Sequence, residues 1–321
     1  MKFNILSILF FILCATSCAD FVTPTSQNPI PIRTFSQTLP STIKTDQLVF
    51  PNQFVSVAQS LINSSTTINV EMYELSNTNL IQSLIQAHKE GKNVKVILDS
   101  SANTTKTILM ELQQAGILTK TISIPNGIDH VKLLVTNNEV LTGGINWGQN
   151  SMYTTDLDVL MPTYDVPDAE EIFNKDWSAQ TNELFSGNLG AFLSGPSIEA
   201  AFIKTLDTAK KYCFLATNYL TDRALENALV QAKERNIKIK IILNKEGYGA
   251  TKAFYWANEN NISIVYYPLS DNYLHAKVMT CDNNTIIGSA NFSYDGFNIN
   301  HELDIQDNNL NQQTLAWFNS I

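Results

Sequence analysis

The same pattern of residues occurs twice in this chain at a constant spacing, and this repeat limits the possible folds more than any other feature. His130 and His275 are 145 residues apart (275 − 130), and segments 72–99 and 217–244 align at the same offset without a gap. A repeat of this length is a whole domain, because the units of a solenoid are only about 20–50 residues long. The sequence therefore predicts two similar lobes made by internal duplication.

Each half alternates segments typical of strands with segments typical of helices. Residues 77–93 form an amphipathic helical pattern, and residues 94–100 form an apolar run typical of a buried strand. This alternation favours an α/β fold in which a mixed sheet is covered by helices. The 321 residues are enough for two lobes with a core each. We predict lobe one at residues 53–188, lobe two at 189–321 and a Gly- and Pro-rich junction at 186–196.

The second half carries polar residues suited to phosphate chemistry. His275, Lys277 and Asp282 follow the order H-x-K-x4-D, and the segment GSAN follows at 288–291. The fragment HAKVMT is typical of a strand, so the side chains of His275 and Lys277 point to the same face. A lysine ammonium binds a phosphate anion, and a nearby imidazole attacks phosphorus or supplies a proton. This half therefore resembles one half of a phosphate-ester site.

The first half carries the same set with two departures. His130, Lys132 and Asn146 stand at the positions equivalent to His275, Lys277 and Asn291. Asn137 stands where the second half has an acid, and Gly144 stands where it has a serine. Because both histidines occupy equivalent positions of a duplication, we interpret them as active-site residues rather than ordinary core residues.

These motifs resemble those of the phospholipase D superfamily, whose signature is H-x-K-x4-D followed by G-S-x-N, twice per active site. The resemblance covers roughly residues 55 to 310. It implies two α/β lobes related by a pseudo-twofold axis, with one active site at their interface. It also implies a two-step reaction in which His130 attacks phosphorus to form a phosphohistidine and His275 acts as acid and base.

The resemblance and the repeat together give the candidate site residues. The predicted catalytic residues are His130, Lys132, Asn146, His275, Lys277, Asp282, Asn291 and Glu302. The predicted substrate-binding residues are Gly144, Asp156 and Ser289.

Two acidic residues are candidates to support the histidines. Asp156 and Glu302 occupy similar places in the aligned halves, with a slip of one residue. A carboxylate behind an imidazole fixes its tautomer and stabilises its charged form. Glu302 is the stronger candidate, and the sequence leaves open which histidine each acid supports. Asp282 lies five residues beyond Lys277, and if its role is structural, Asn137 affects stability more than chemistry.

The N-terminal segment has the pattern of an export signal. Residues 1–18 combine Lys2, a short apolar run and small residues before Cys18. That run is too short to span a bilayer permanently, so we predict a signal peptide with a lipobox-like end and Cys18 as a lipid anchor. Plain cleavage and secretion is the alternative. Residues 19–52, rich in Pro, Ser, Thr and Asn, are predicted to be a tether, part of which can lie along the folded body.

The remaining cysteines and the composition limit the chemistry. Cys213 and Cys281 lie on predicted strands, and both a disulfide and two buried thiols are compatible with an exported chain. Neither has the spacing of a metal ligand and there is no Cys/His cluster, so the sequence predicts a reaction without metal or other cofactor.

The net charge and the leader then select among functions. A net charge of −9 and a pI near 4.9 provide no general attraction for nucleic acid. We predict a phospholipid phosphodiesterase of the cell envelope, held at a membrane through Cys18 and monomeric because both halves of the site lie in one chain. In a variant of this reaction an alcohol replaces water. The alternatives are an exported nuclease of the same superfamily and a pair of lobes that only binds phosphate.

Overall fold

The computed structural model describes residues 45–180, 183–244, 248–267 and 273–321. The predicted signal peptide, Cys18 and most of the predicted tether lie outside the described residues. Within the described residues, no helix combines the length and the apolar character needed to cross a membrane.

Lobe one is a seven-stranded mixed sheet with helices against it. Its strands are β1 (Gln47–Val49), β2 (Thr67–Met72), β3 (Asn93–Asp99), β4 (Leu118–Ile122), β5 (Lys132–Thr136), β6 (Val140–Gly143) and β8 (Asp158–Met161). In the sheet they lie in the order β1-β8-β6-β5-β2-β3-β4, and only the β2–β3 and β3–β4 pairs are parallel. Its helices are α1 (Pro51–Ser64), α2 (Thr78–Lys89), α3 (Thr105–Gln114) and α4 (Val166–Ser178).

Lobe two repeats this arrangement in an eight-stranded sheet. Its strands are β9 (Gly187–Leu189), β10 (Phe192–Ser194), β11 (Tyr212–Thr217), β12 (Lys238–Asn244), β13 (Ile264–Tyr267), β15 (Val278–Cys281), β16 (Asn284–Gly288) and β17 (Asp304–Asp307). In the sheet they lie in the order β13-β12-β11-β15-β16-β17-β10-β9. Its helices are α5 (Pro196–Thr208), α6 (Arg223–Glu234), α7 (Tyr248–Glu259), α8 (Tyr294–Asn298) and α9 (Asn311–Phe318). The predicted two-lobed α/β fold with mixed sheets is confirmed.

The structural repeat reaches further than the sequence indicated. β1 pairs with β8, and β10 pairs with β17 at the position 145 residues later. Residues 47–52 therefore belong to lobe one, so the lobe begins before residue 53, where the sequence predicted the tether to end and the lobe to start. The predicted junction at 186–196 is instead the β9–β10 hairpin at the edge of the lobe-two sheet. Sequence patterns missed β1 and β10 because each strand is only three residues long and is followed within two residues by a proline.

The two sheets share a core. Leu133 and Val159 of lobe one form one buried cluster with Ile242, Val278 and Ile287 of lobe two. The outer face of each sheet forms a separate core with its own helices. Because each buried aliphatic side chain contributes about 1.5–3 kcal/mol, the shared cluster holds the sheets together and brings equivalent strand ends to one junction.

A disulfide links two neighbouring strands of lobe two. Cys213 on β11 lies directly opposite Cys281 on β15, and the two are bonded. Of the two alternatives that the sequence left open, the structure contains the disulfide. Lobe one has Ile68 opposite Thr136 at the equivalent pair, so the fold itself does not require the bond.

Candidate active site

Both candidate histidines lie just before a central strand, where the two lobes meet. The main-chain N–H of His130 donates to the oxygen of His301 (2.8 Å), and the N–H of His301 donates to Ile128 (3.0 Å). In the equivalent place, the N–H of His275 donates to the oxygen of Thr155 (2.9 Å). A short parallel pair, β7 (Thr154–Thr155) with β14 (Tyr273–Leu274), continues this second contact. Each histidine is therefore held by the main chain of the other half.

His130 is paired with the acid of lobe two. Its Nδ1 lies 2.8 Å from Oε2 and 3.0 Å from Oε1 of Glu302. Both side chains are buried, with 2% of His130 and none of Glu302 exposed. The carboxylate is fixed further by the hydroxyl of Ser289, which donates to Oε2 (2.6 Å), and the amide of Asn300, which donates to Oε1 (3.0 Å). This network leaves Nε2 of His130 as the ring nitrogen available for chemistry.

His275 is paired with the acid of lobe one. Its Nδ1 lies 2.6 Å from Oδ2 of Asp156, whose other oxygen accepts the main-chain N–H of Leu157 (2.9 Å). The imidazole of His275 is 17% exposed, more than that of His130. The two carboxylates are thus exchanged between the lobes, which answers the question that the sequence left open. Neither half contains a complete histidine–carboxylate pair by itself.

The two candidate lysines are buried beside these histidines. Only 1% of Lys132 and 1% of Lys277 is exposed. Nζ of Lys132 donates to the main-chain oxygen of His130 (2.6 Å) and lies 5.4 Å from the ring centre of Tyr73. Nζ of Lys277 donates to the main-chain oxygen of His275 and lies 3.1 Å from its Nε2. Burying two ammonium groups is costly, so their placement here favours an anionic ligand.

The candidate asparagines lie on equivalent turns and have an unused hydrogen-bonding atom. Oδ1 of Asn146 and Oδ1 of Asn291 are buried, and neither has a hydrogen-bond partner among the described residues. The oxygen and nitrogen of an amide exchange places on a 180° flip, so each amide can present a donor to a phosphoryl oxygen. The pair is suited to bind the same anion as the lysines.

Two further acids shape these turns, and sequence reasoning missed them. Oδ1 of Asp158 accepts the N–H of Ile145 (2.9 Å), and Oδ1 of Asp304 accepts the N–H of Ala290 (3.0 Å). Both are buried, and burial raises the pKa of Asp304 to about 8. A Cβ added to Gly143, which has φ 153°, would lie 2.6 Å from the backbone of Asp158. The available signal was the repeated triplet of an acid, Leu and Asp at 156–158 and 302–304.

Three predicted substrate-binding residues have a different place in the structure. Ser289 is fully buried and its hydroxyl donates to Glu302, while Asp156 contacts His275. A Cβ added to Gly144 would lie 2.3 Å from Oδ1 of Asp156, so this acid occupies the space that a serine side chain would need. These residues position the histidines, and none of them is placed to bind substrate directly.

Asp282 lies outside the site, contrary to its prediction as catalytic. Its carboxylate accepts the main-chain N–H groups of Lys210 (2.7 Å), Lys211 (3.0 Å) and Tyr212 (3.1 Å). The four residues of β15 separate it from Lys277, a span of about 16 Å at roughly 3.3 Å per residue. In lobe one, Oδ1 of Asn137 accepts the N–H groups at the equivalent positions 66 and 67 (2.8 and 3.1 Å). Asn137 therefore accepts the same main-chain hydrogen bonds as Asp282, so the role of this motif position is structural.

The electrostatics keep both imidazoles neutral in the free protein. Burial lowers the pKa of His130 to about 4; Lys132 and Lys277 add to this effect, while Glu302 opposes it. Burial and Lys277 likewise lower the pKa of His275 against the attraction of Asp156. Burial disfavours ionisation of Glu302, but His130 and Lys132 outweigh it and lower the pKa of that carboxyl. Each imidazole thus lies within electrostatic reach of both lysines.

The geometry agrees with comparisons to known proteins. The family profile described as "Cardiolipin synthase, PLD-like domain" matches residues 57–177 and 202–321. A cardiolipin synthase of Clostridium perfringens (strain 13 / Type A) is 24% identical over 304 residues, covering 78% of this chain and 64% of that protein. A phospholipase D of Rickettsia typhi is 33% identical over 93 residues, covering 28% of this chain and 45% of that protein. The chain thus spans less than two thirds of the length of these relatives.

Solved structures show the same fold. The phosphatidylserine synthase of Haemophilus influenzae Rd KW20 matches with a TM-score of 0.69 at 13% identity, covering 86% of each chain. The polyphosphate kinase of Porphyromonas gingivalis matches with a TM-score of 0.63 at 15% identity, covering 87% of this chain and 50% of that one. Because the family profile occurs twice and covers most of the sequence, the chain belongs to the phospholipase D superfamily, with one PLD-like domain in each half.

Proposed function

We propose that this protein cleaves the phosphodiester of phospholipids through a phosphohistidine intermediate, and passes the phosphatidyl group to water or to an alcohol. One observation carries the proposal. Two histidines, each backed by a carboxylate from the other half, lie at one junction with two buried lysines. Such a site combines a nucleophile, an acid and two fixed positive charges around one phosphate.

In the first step, Nε2 of His130 attacks phosphorus while the bond from phosphorus to the head-group oxygen breaks. His275 donates the proton that the departing alcohol requires. His130 is the better nucleophile because its Nδ1 proton is held by Glu302, which Ser289 and Asn300 fix in turn. This carboxylate also stabilises the positive charge that develops on the imidazole.

His275 must carry a proton before this step. In the free protein burial and Lys277 keep its pKa low. A bound phosphodiester anion offsets the lysine charges, so substrate binding raises the pKa of His275 and favours its acid form.

In the second step, His275 removes a proton from water or from an acceptor alcohol, and the oxygen displaces His130 from phosphorus. Water releases phosphatidic acid, and an alcohol forms a new phosphodiester. Lys132, Lys277 and the two asparagine amides stabilise the phosphoryl oxygens in both steps, where negative charge is greatest. Splitting one displacement into two steps lets the same pair of histidines serve both directions.

The names of the relatives favour a lipid substrate. A cardiolipin synthase is among the similar sequences, and a phosphatidylserine synthase is among the similar folds. The net charge of −9 is unfavourable for a polyanion such as DNA. We therefore place phospholipid first and nucleic acid second as a substrate.

We also propose that the protein works at the cell envelope, held by a lipid on Cys18. The leader of residues 1–18 supports this proposal. Metabolic labelling of the full chain with a radioactive fatty acid tests it. Label is expected on the wild type and absent from Cys18→Ser, whereas an unlabelled, secreted wild type would contradict an anchor.

The test of the proposed activity uses the full chain and phosphatidylglycerol vesicles, without added metal and without chelator. Hydrolysis gives phosphatidic acid and glycerol, whereas transfer between two lipids gives cardiolipin and glycerol, so the lipid product separates the two reactions. Single-stranded DNA is offered in parallel. His275→Ala should abolish turnover. The matched control is His88→Ala, since His88 lies on α2 outside the site, and it should retain activity.

The outcomes distinguish the candidate functions. Glycerol release that requires His275 establishes the lipid reaction. Cleavage of DNA alone would assign the protein to the nucleases. Turnover of neither substrate, in a folded wild type, would contradict both activities and favour a lobe pair that only binds phosphate.

A further inference from the structure

We propose that Glu71, Asp129 and His301 bind a divalent transition-metal ion at the junction of the two lobes, behind the active site. Each residue offers one ligand atom, and these atoms lie within 4.8 Å of one another. All three side chains are buried, with 0%, 0% and 6% exposed. Sequence patterns did not reveal this cluster, because its members are more than 50 residues apart along the chain.

The cluster lies on the reverse side of the bridge that positions the nucleophile. Asp129 and His301 form an isolated parallel bridge between the two lobes. In extended backbone, successive side chains point to opposite sides, so the neighbouring residues His130 and Glu302 face the active site. An ion bound by Asp129 and His301 would therefore fasten the bridge from behind without contacting substrate.

The buried carboxylate of Glu71 is the feature that indicates a ligand. It lies on β2, is fully buried, and neither carboxylate oxygen has a hydrogen-bond partner among the described residues. Its Oε1 lies 3.6 Å from Nε2 of His301. Oδ2 of Asp129 is likewise buried without a hydrogen bond. Buried carboxylates are normally paired or bound to metal, because an isolated buried charge is very costly.

Acidic groups outnumber basic groups around this cluster, and a divalent cation would balance them. Oδ2 of Asp176, on α4, lies 3.1 Å from Nε2 of His301. Lys120 lies within electrostatic reach, and its Nζ donates to three main-chain oxygens at the end of α4. Asp99 also faces Asp129, because its Oδ2 accepts the main-chain N–H of Asp129 (2.7 Å). Among the described residues, four carboxylates (Glu71, Asp99, Asp129 and Asp176) thus surround one imidazole and one ammonium.

Lobe two shows that the fold does not need this cluster. The positions equivalent to Glu71 and Asp129 hold Ala216 and Leu274, both fully buried in the apolar core. The position equivalent to His301 holds Thr155. The equivalent place in the fold therefore holds two apolar side chains and a threonine in one half, and three side chains that can bind a metal ion in the other.

The donor set selects the class of ion. One imidazole nitrogen and two carboxylate oxygens suit Zn²⁺, Mn²⁺ or Fe²⁺, whereas Ca²⁺ and Mg²⁺ prefer oxygen ligands alone. When Nε2 of His301 binds an ion it carries no proton, so Asp176 loses that hydrogen bond and becomes available as a fourth ligand. The ion would be structural, and the proposed reaction runs without it as a participant.

Metal analysis of the full chain, purified without chelator and dialysed, tests the proposal. The expected result is about one transition-metal ion per chain in the wild type, as in structural sites with closed coordination. Glu71→Gln and His301→Asn should each lose most of this metal. Glu139→Gln is the matched control, because Glu139 is a partly buried glutamate of the same lobe outside the cluster, and it should retain the metal.

Thermal unfolding supplies a second readout that does not depend on enzymatic activity. Protein refolded from denaturant and chelator should gain Tm on addition of Zn²⁺, because an ion that binds only the folded state stabilises it. Glu71→Gln should remove this gain. A metal-free wild type without a Zn²⁺-dependent Tm would overturn the proposal. So would a Glu71→Gln protein of higher Tm than the wild type, because it would show the carboxylate to be an uncompensated buried charge.

Discussion

The two halves of the active site use equivalent positions but support their histidines differently. In lobe two, Glu302 is fully buried and is held by Ser289 and Asn300. In lobe one, Asp156 is shorter, and Gly144 leaves the space that its carboxylate occupies. The carboxylate of lobe two is fixed by two side-chain hydrogen bonds, whereas that of lobe one is fixed by the main-chain N–H of Leu157 in the space beside Gly144.

This difference shows how a duplicated site can divide its work. The well-supported carboxylate of lobe two serves His130, the buried proposed nucleophile, whose imidazole must become cationic during attack. The simpler carboxylate of lobe one contacts His275, which is more exposed and which, in the proposed reaction, exchanges protons with the leaving and attacking groups. Lobe one departs from the family motif at Asn137 without losing the structural role of that position. Oδ1 of Asn137 accepts the same kind of main-chain hydrogen bonds that the motif's aspartate accepts in lobe two.

The largest expected effect comes from changing the two carboxylates to amides. Glu302→Gln should lower kcat by about 10³-fold and Asp156→Asn by about 10²-fold, because an amide nitrogen facing Nδ1 favours the wrong imidazole tautomer. Steady-state kinetics on phosphatidylglycerol vesicles measures both. An Asp156→Asn protein that loses more activity than Glu302→Gln would reverse the comparison between the halves.

A second test replaces Asp46 of lobe one by alanine, the residue at the equivalent position of lobe two, and measures the free energy of unfolding at different pH values. Asp46 is buried, and Ala191 stands at the equivalent position 145 residues later. Burial and the neighbouring Asp307 raise the pKa of Asp46 to about 8. The folded state therefore keeps a proton that the unfolded state releases, so stability falls as pH rises from about 4 to 8.

Asp46→Ala should remove this loss. The free energy of unfolding should rise by about 1–3 kcal/mol at pH 9 and by much less at pH 5. Urea unfolding at the two pH values measures the difference. An equal gain at both values would show that the side chain acts through packing rather than through its proton.

A third change weakens the network of lobe two. Ser289→Ala removes the hydroxyl that donates to Glu302 and should lower kcat by about 10-fold, the effect of one lost hydrogen bond to a charged group. KM should stay unchanged, because the buried hydroxyl does not contact substrate. Ser56→Ala, which removes an exposed hydroxyl on α1, is the control. A rise in KM at constant kcat would instead place Ser289 in the substrate site.

The smallest expected effect restores the family's acid in lobe one. Asn137→Asp should stabilise the protein by about 0.5 kcal/mol, because a charged acceptor strengthens the bonds from the N–H groups of Thr66 and Thr67. Turnover should not change, since this residue lies at the far end of β5 from the site. Chemical denaturation measures the stability, and a parallel assay measures the activity. Altered turnover would indicate that the acid of the motif takes part in the reaction.

Much of this architecture could be predicted from the repeat. The 145-residue offset located both lobes, and the helices α2 and α6 have equivalent bounds at that offset. The spacing of histidine and lysine predicted two neighbouring polar side chains in each half, although His130, His275 and Lys277 precede the strands β5 and β15 instead of lying on them. These features are local or periodic, so a single sequence is enough to show them.

The remaining features depend on contacts between distant segments. The pairing of Glu302 with His130 joins residues 172 positions apart, and sequence alone could not decide between the two histidines. The cluster around Glu71 and the bond between Cys213 and Cys281 likewise form only after the sheets are assembled. The structural role of Asp282 depends on which N–H groups end next to it.

Trapping the covalent intermediate tests the central assignment most directly. The His275→Asn protein keeps the proposed nucleophile but lacks both the acid of the first step and the base that activates water in the second, so the adduct should form slowly and then persist. After prolonged exposure to phosphatidylglycerol vesicles and an alkaline quench, which preserves phosphohistidine, peptide mass spectrometry should find a phosphatidyl adduct on His130. His130→Asn should carry no adduct. An adduct on His275 in the His130→Asn protein would contradict the assignment and exchange the roles of the two halves.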